Sequence, residues 1–297
     1  MALSTRLILA GCYLIFAPIV IGLLDGFDRK ISARMQGRRG PSVLQPFYDL
    51  KKLFEKEFLT ANNMQLFMIR SYLCFIILSG ILFFAGFDLL LVVFALSTSA
   101  MFLILASTTT HSPFSSQGTH RELVQIMACE PMELLVAVGF YLATIPKTFN
   151  VSYIVINSDF SNIIYLPGFF VGFIFILTIK FRKSPFDIST SHHAHQEVVK
   201  GVTSEMVGKE YGMVTLAEWY ENAILYGIVA LFFLNKNPLS VIGAIIAILA
   251  VWFLEILIDN TSARVKWQLM LKLAWGVTIV AAGMNLFLLE IIRGTLR

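Results

Sequence analysis

The stretch Leu89-Leu90-Leu91-Val92-Val93-Phe94-Ala95-Leu96-Ser97-Thr98-Ser99-Ala100-Met101-Phe102-Leu103-Ile104-Leu105-Ala106-Ser107-Thr108 contains no Asp, Glu, Lys or Arg. Wound as an α-helix at ~1.5 Å per residue, about 20 such residues cover the ~30 Å of a bilayer core. A helix also pairs its own backbone N–H and C=O groups, as hydrocarbon surroundings require. Comparable apolar runs lie near residues 7–24, 66–86, 123–146, 162–180, 216–235, 238–258 and 268–292. Together they predict an all-α, polytopic membrane protein with about eight transmembrane helices.

Composition agrees. Hydrophobic residues make up 57% of the chain and charged residues 14%, and the mean hydropathy is +0.75. A soluble domain is nearer half apolar and about a quarter charged, so a water-soluble enzyme is excluded. No internal repeat, linker or low-complexity tract is visible, and residues 1–297 read as a single integral membrane domain. Two polar cytoplasmic segments, about 25–65 and 181–215, interrupt the apolar runs. Cys12, Cys74 and Cys129 sit far apart, each inside an apolar run, with no CxxC or Cys/His spacing. They predict neither a disulfide framework nor a metal or cluster site, but small residues packed between helices. The first run, Leu7 to Leu24, is long for a signal-peptide core and closes on Leu24-Asp25-Gly26 without a small-residue cleavage site.

Basic residues set the expected orientation. Arg29, Lys30, Arg34, Arg38, Arg39, Lys51, Lys52 and Lys56 fall in the first polar segment. Arg182, Lys183, Lys200 and Lys209 fall in the second, with Lys180 at its edge. The span count puts both segments on one side, along with Arg121, Arg264 and Lys266. The positive-inside rule makes that side cytoplasmic and places both termini outside the cell membrane. Within the first segment, Gly37-Arg38-Arg39-Gly40-Pro41 breaks any helix. Leu44, Phe47, Leu50, Leu53 and Phe54 then recur at helical spacing, with Asp49, Lys51, Lys52 and Glu55 between them. This predicts an amphipathic cytoplasmic helix lying on the membrane or against a partner; a plain surface helix with snorkelling lysines is the bland alternative.

Two of these polar motifs carry a family resemblance. Gly40-Pro41-Ser42-Val43-Leu44-Gln45-Pro46-Phe47-Tyr48-Asp49-Leu50-Lys51-Lys52-Leu53-Phe54-Glu55-Lys56-Glu57 resembles the first cytoplasmic loop of the respiratory complex I subunit 1 family. Lys183-Ser184-Pro185-Phe186-Asp187, then Glu197-Val198-Val199-Lys200-Gly201 and Glu205, is similar to that family's third cytoplasmic loop. Arg121 through Glu130-Pro131, and Gln268-Leu269-Met270 with Trp275, match further family segments, so the likeness runs along essentially the whole chain. After the Pro-Phe-Asp the family is Glu-rich, whereas this chain reads Ile188-Ser189-Thr190-Ser191-His192-His193-Ala194-His195-Gln196. Trp267 also stands where the family has an Asp. This histidine-rich version resembles the Ech-type branch, the membrane anchors of energy-converting [NiFe] hydrogenases. The departures put a quinone-headgroup site in doubt.

The resemblance implies a connector. Such subunits dock a peripheral arm and join it to an antiporter-like, ion-pumping membrane subunit. The arm comprises hydrogenase large and small subunits and an iron–sulfur subunit. The [NiFe] centre and iron–sulfur clusters are expected in those partners, with no cofactor and no metal in this chain. The bilayer is the other partner, and no nucleic acid is expected. Arg38, Arg39, Gln45, Asp49, Arg121, Arg182 and Lys183 form the expected docking face. The basic members could equally hold anionic lipid or act only as topology signals.

Acidic residues inside apolar runs are the sharpest signal from the residues themselves. Glu130 and Glu133, three apart, share a face of the fourth span, and Glu218 and Glu221 repeat that spacing in the sixth. Glu255 lies in the seventh, with Asp259 one turn on. An ionised carboxylate at mid-bilayer costs at least ~2.5 kcal/mol, so such groups face a cavity, a partner or a relay. Either they trade protons or they pair with Lys or Arg on other helices. Asp187, Glu197 and Glu205 lie in the second polar segment beside His193 and His195, whose imidazoles titrate near ~6.5. That loop could pass protons, or simply contact the docked arm; a His192/His193/His195 metal site lacks a distant fourth ligand. The expected function is the anchor and coupling subunit of a ferredoxin-linked, ion-translocating [NiFe] hydrogenase, with proton translocation conserving the redox energy. A quinone-site subunit of an NADH dehydrogenase-like complex is the alternative. A stand-alone secondary transporter is the rival from another class, although no inverted halves are visible.

Overall fold

The computed structural model describes residues 3–57, 62–158, 160–186, 189–190 and 200–295. Its helices are α1 (Leu3–Met35), α2 (Gln45–Glu55), α3 (Asn63–Phe84), α4 (Leu89–Thr108), α5 (Pro113–Ala143) and α6 (Val151–Ile156). They continue with α7 (Pro167–Lys180), α8 (Lys209–Phe233), α9 (Ser240–Thr261), α10 (Trp267–Val277) and α11 (Gly283–Thr295). One π-helical turn, Thr278–Ala282, joins α10 to α11, so the two form one continuous rod. No strand occurs among the described residues beyond an isolated bridge between Asp88 and Asn150. The all-α membrane architecture is as the sequence implied.

Of the expected spans, about eight in number, six are confirmed on length and composition. Among the described residues, six helical rods are long and apolar enough to cross a membrane: α1, α3, α4, α5, α9 and α10–α11. The other two expected spans fall short for different reasons. The α7 helix has 14 residues, a length of ~21 Å that does not cover a bilayer core by itself. The α8 helix has 25 residues but carries Lys209, Glu210, Glu218 and Glu221.

Several helices also outrun their apolar stretches. The α1 helix continues through Asp25, Asp28 and Arg29, α5 begins ten residues before the expected span at Pro113, and α8 starts at Lys209. Nothing in those sequences stops a helix. The α1 helix closes only at Gly37 (φ 70°), where Gly37 N–H reaches Arg34 O and Arg38 N–H reaches Ala33 O. This is a Schellman turn, whose left-handed residue is normally glycine.

The amphipathic segment 44–54 is helical, as α2. Phe47 meets Trp219 of α8 edge-on, with ring centroids 5.4 Å apart. The loop before it crosses α1 at Gly26, where a Cβ would stand 1.8 Å from Val43 O. Only a glycine admits that backbone. The interior is filled by Tyr72, Phe140, Phe169, Phe173 and Phe232. Outward faces are apolar too, including Leu7, Ile8, Ile245, Ile246, Val280 and Phe287, as a bilayer permits. The same fact corrects the cysteine expectation: Cys129 is buried, but Cys12 and Cys74 are exposed on the outside of α1 and α3. An apolar run in a membrane needs no protein neighbour on every side.

Candidate functional site

The short α7 determines the site. Its sequence closes with Lys180-Phe181-Arg182-Lys183, so three cations gather at the negative end of the helix dipole. The chain leaves through a second Schellman turn: Arg182 N–H bonds Ile179 O and Lys183 N–H bonds Thr178 O. Here the left-handed residue is Arg182 itself, at φ 51°. A side chain in that conformation costs roughly 1–2 kcal/mol, so the surroundings must hold it there.

What holds it is a buried set of carboxylates. Side-chain exposure is 11% for Lys180, 16% for Arg182 and 19% for Lys183. Each cation is divided between acids of two different helices. Lys180 Nζ is 3.0 Å from Glu133 Oε1 on α5 and 3.8 Å from Glu221 Oε1 on α8. The first is close charge contact without hydrogen-bond alignment, for neither Glu133 oxygen has a hydrogen-bond partner. Arg182 donates 3.0 Å to Glu122 Oε1 on α5 through one nitrogen and to Glu218 on α8 through another. Lys183 binds Asp28 on α1 and lies 3.7 Å from Asp259 on α9. Asp259 also accepts the Ser184 N–H at 2.9 Å. Farther out, Arg29 bridges Asp25 and Asp49, tying α2 to α1.

Burial alone would depress the Lys183 ammonium, but Asp28, with Asp259 and Asp25, outweighs it and raises its pKa above the ordinary lysine value. Arg182 is likewise opposed by burial and held fully charged by Glu122 and Glu218.

Three cavities meet around Arg182. The largest, about 350 Å³, is bounded by Asp28 of α1, Glu218 and Asn222 of α8, and Glu255 and Asp259 of α9. The second, about 110 Å³, runs past Glu218 to Lys180 and Glu221. The third, about 30 Å³, reaches Tyr72, Glu122 and Gln125 and is large enough for a water molecule. Each cation of the cluster therefore borders at least one cavity. Such an arrangement can exchange ion-pair partners or pass protons between carboxyls through water.

Of the acids singled out in the sequence, Glu133, Glu218 and Glu221 meet here, all ion-paired across helices. Glu255 is buried nearby on Thr178. Glu130 is half-buried and has no ion pair among the described residues, and Glu205 is exposed. Asp187, His193, His195 and Glu197 lie outside the described residues. Two members of the expected docking face are engaged within the chain. Arg182 and Lys183 turn inward to the cluster, because the left-handed turn folds the chain back onto α7. Arg38 and Arg39 are exposed, Arg121 is half-buried, and Gln45 donates to Asp49 at 2.8 Å beneath α2. No group of three or more His, Cys, Asp or Glu is placed to hold a metal among the described residues.

Sequence reading missed Glu122, Asp28 and the central place of Lys180. Glu122 fell one residue before the expected span and Asp28 inside the expected cytoplasmic segment. The available signal was three basic residues directly after an apolar run, in a chain with several intramembrane acids.

Comparison with known proteins matches residues 8–290 to the NADH dehydrogenase family. The chain belongs to that family. The resemblance read from the loop motifs is borne out at this level. Among family relatives, hydrogenase-4 component C of Escherichia coli (strain K12) is 27% identical over 287 residues, covering 85% of this chain and 86% of that protein. NADH-ubiquinone oxidoreductase chain 1 of Strongylocentrotus purpuratus is 30% identical over 249 residues, covering 77% and 75%. The fold is shared with a chain of the membrane-bound sulfane sulfur reductase (MBS), an archaeal respiratory membrane complex. That likeness has a TM-score of 0.82 and 23% identity, and covers 96% of this chain and 99% of the other. Family members are thus subunits of membrane respiratory and hydrogenase complexes, and this chain is a multi-pass membrane protein.

Proposed function

We propose that this chain is the anchor and coupling subunit of a ferredoxin-linked, ion-translocating [NiFe] hydrogenase of Ech type. It joins a peripheral arm of large, small and iron–sulfur subunits to an antiporter-like membrane subunit. The long polar segments face the cytoplasm and both termini lie outside. The arm supplies the redox chemistry; this chain converts its consequence into a displacement of charge.

The observation that carries the reading is the sharing of Lys180, Arg182 and Lys183 between carboxylates of α1, α5, α8 and α9. The backbone that bears these cations continues directly into the polar segment expected to meet the arm. A shift of that segment pulls on Arg182 and Lys183 and changes which acids are compensated. Glu133 and Glu221 then compete for Lys180, and an acid that loses its cation takes up a proton. The similarity to a hydrogenase component supports the branch.

The test uses the purified complex in proteoliposomes. Glu133→Gln should leave hydrogen evolution from reduced ferredoxin in place and abolish the accompanying ion gradient, and Glu130→Gln should do the same. Full pumping in both variants would remove these residues from the path. A second reading, a quinone-site subunit of an NADH dehydrogenase-like complex, is favoured by the 30%-identical relative and by a cavity of about 350 Å³, within the range of small-molecule sites. Nickel in the purified complex supports the first reading; bound quinone without nickel establishes the second.

A further inference from the structure

Glu255 stands apart from the acids around it. Asp28, Glu122, Glu133, Glu218, Glu221 and Asp259 each have a cation within ion-pair distance. Glu255 has none among the described residues. It is 1% exposed, on the inner face of α9. Thr178 Oγ1 on α7 donates to its Oε1 at 3.3 Å, and its Oε2 has no hydrogen-bond partner.

The groups facing it come from four sides. Asp259 lies one turn farther along α9, Tyr226 comes from α8, Lys183 from the turn after α7, and Asp28 from α1. Lys183 is already engaged by Asp28 and Asp259, so it is not free to pair with Glu255. All of these groups border the same cavity of about 350 Å³, and so does Glu255. A buried carboxyl held by an ammonium keeps its charge, whereas one without a cation sheds its charge by binding a proton. Only the second kind can load and unload while its neighbours stay ionised.

We infer that Glu255 is a proton-binding site, loaded through the large cavity and separate from the ion-paired acids at the end of α7. Thr178 orients the carboxyl by its hydrogen bond to Oε1, leaving Oε2 to receive the proton. The unloading step depends on Lys183: when it leaves Asp28 for the α9 side, its charge approaches Glu255 and favours release. The site's part in pumping rests on the coupling function proposed above; its proton chemistry does not.

The experiment is pH-dependent labelling of the intact complex with dicyclohexylcarbodiimide, an apolar reagent that reacts with protonated carboxyls. The carboxyl O–H adds across one C=N bond, and the O-acylisourea rearranges to an N-acylurea with no leaving group, so the adduct is read by peptide mass. At neutral pH, labelling at Glu255, which has no cation in ion-pair reach, should exceed that at Glu133, whose carboxylate lies 3.0 Å from Lys180 Nζ, by about tenfold or more. It should fall as pH rises and vanish in Glu255→Gln. Thr178→Val, which keeps the side-chain volume, should shift the pH midpoint of labelling and so tests the site without removing the carboxyl. Equal labelling of Glu133, pH-independent labelling, or an unshifted midpoint in Thr178→Val would overturn the inference. Protection by sodium ions at constant pH would also overturn it, marking a metal-cation site instead. Labelling in a complex without nickel would support the site while removing the hydrogenase reading.

Discussion

The ammonium of Lys180 sits 3.0 Å from the carboxylate of Glu133, with side chains only 11% and 2% exposed, and joins the end of α7 to the middle of α5. Removing one partner of such a pair leaves the other charged and buried, which typically costs about 3–5 kcal/mol. Lys180→Met should therefore lower the thermal stability of the purified complex strongly. Lys180→Met combined with Glu133→Gln should recover much of the loss. Equal melting temperatures for the single and double variants would show the two residues to be uncoupled.

Arg182 presents opposing contributions. Glycine in its place would relieve a left-handed backbone but leave Glu122 and Glu218 without their cation. Setting relief of about 1–2 kcal/mol against a pair loss of about 3–5 predicts net destabilisation of roughly 1–4 kcal/mol for Arg182→Gly. Arg182→Lys keeps charge and strain but lacks the planar fork that reaches two carboxylates at once. It should fall between glycine and wild type in thermal unfolding. A glycine variant as stable as wild type would mean that the pairs contribute no more than the backbone strain they hold, about 1–2 kcal/mol.

Lys183 makes a prediction about alkaline pH. Its pKa is raised in the folded chain because Asp28, with Asp259 and Asp25, outweighs burial. A raised lysine pKa stabilises fully below the unfolded value, ~10.4, and that stability is lost as pH climbs through the folded value. This residue should thus add no pH dependence from neutrality to about pH 10 and a steep loss above it. The denaturation profile of the wild type should steepen on that alkaline side, and Lys183→Met should lack the steepening. The same alkaline loss in both proteins would contradict the assignment.

Gly26 fixes the approach of the amphipathic helix. Gly26→Ala places a Cβ against Val43 O, and relief requires moving backbone, at about 1–3 kcal/mol. Limited proteolysis should then cut between residues 36 and 44 sooner than in wild type. Gly11→Ala on the same helix is the control, since nothing lies within 4 Å of its added Cβ. It should be neutral or slightly stabilising, by about 0.5–1 kcal/mol.

The apolar runs made the helices legible, because hydrocarbon imposes its demand residue by residue. The α2 helix was legible from the spacing of Phe47, Leu50 and Phe54. The charge cluster was not, because its partners are distant in sequence: 60 residues separate Arg182 from Glu122, and 155 separate Lys183 from Asp28. Hydropathy assigns each of these residues a cost and says nothing of who compensates it. Asp28 and Glu122 were placed outside the spans because the apolar signal ends before the helix does. Lys180 read as an orientation marker because it stands at the edge of the second polar segment.

The unequal grip on Lys180 has a mechanical consequence. Its two carboxylate distances, 3.0 Å and 3.8 Å, differ by less than one ångström. Glu133 rides on α5 and Glu221 on α8, so a slide of α8 toward α7 by slightly more than that difference reverses which acid is nearer. A displacement within the range of ordinary helix shear thereby becomes a choice between two bonding partners. On the coupling function proposed above, the end of α7 would serve as a pivot, translating sub-ångström travel into a discrete switch of electrostatic allegiance.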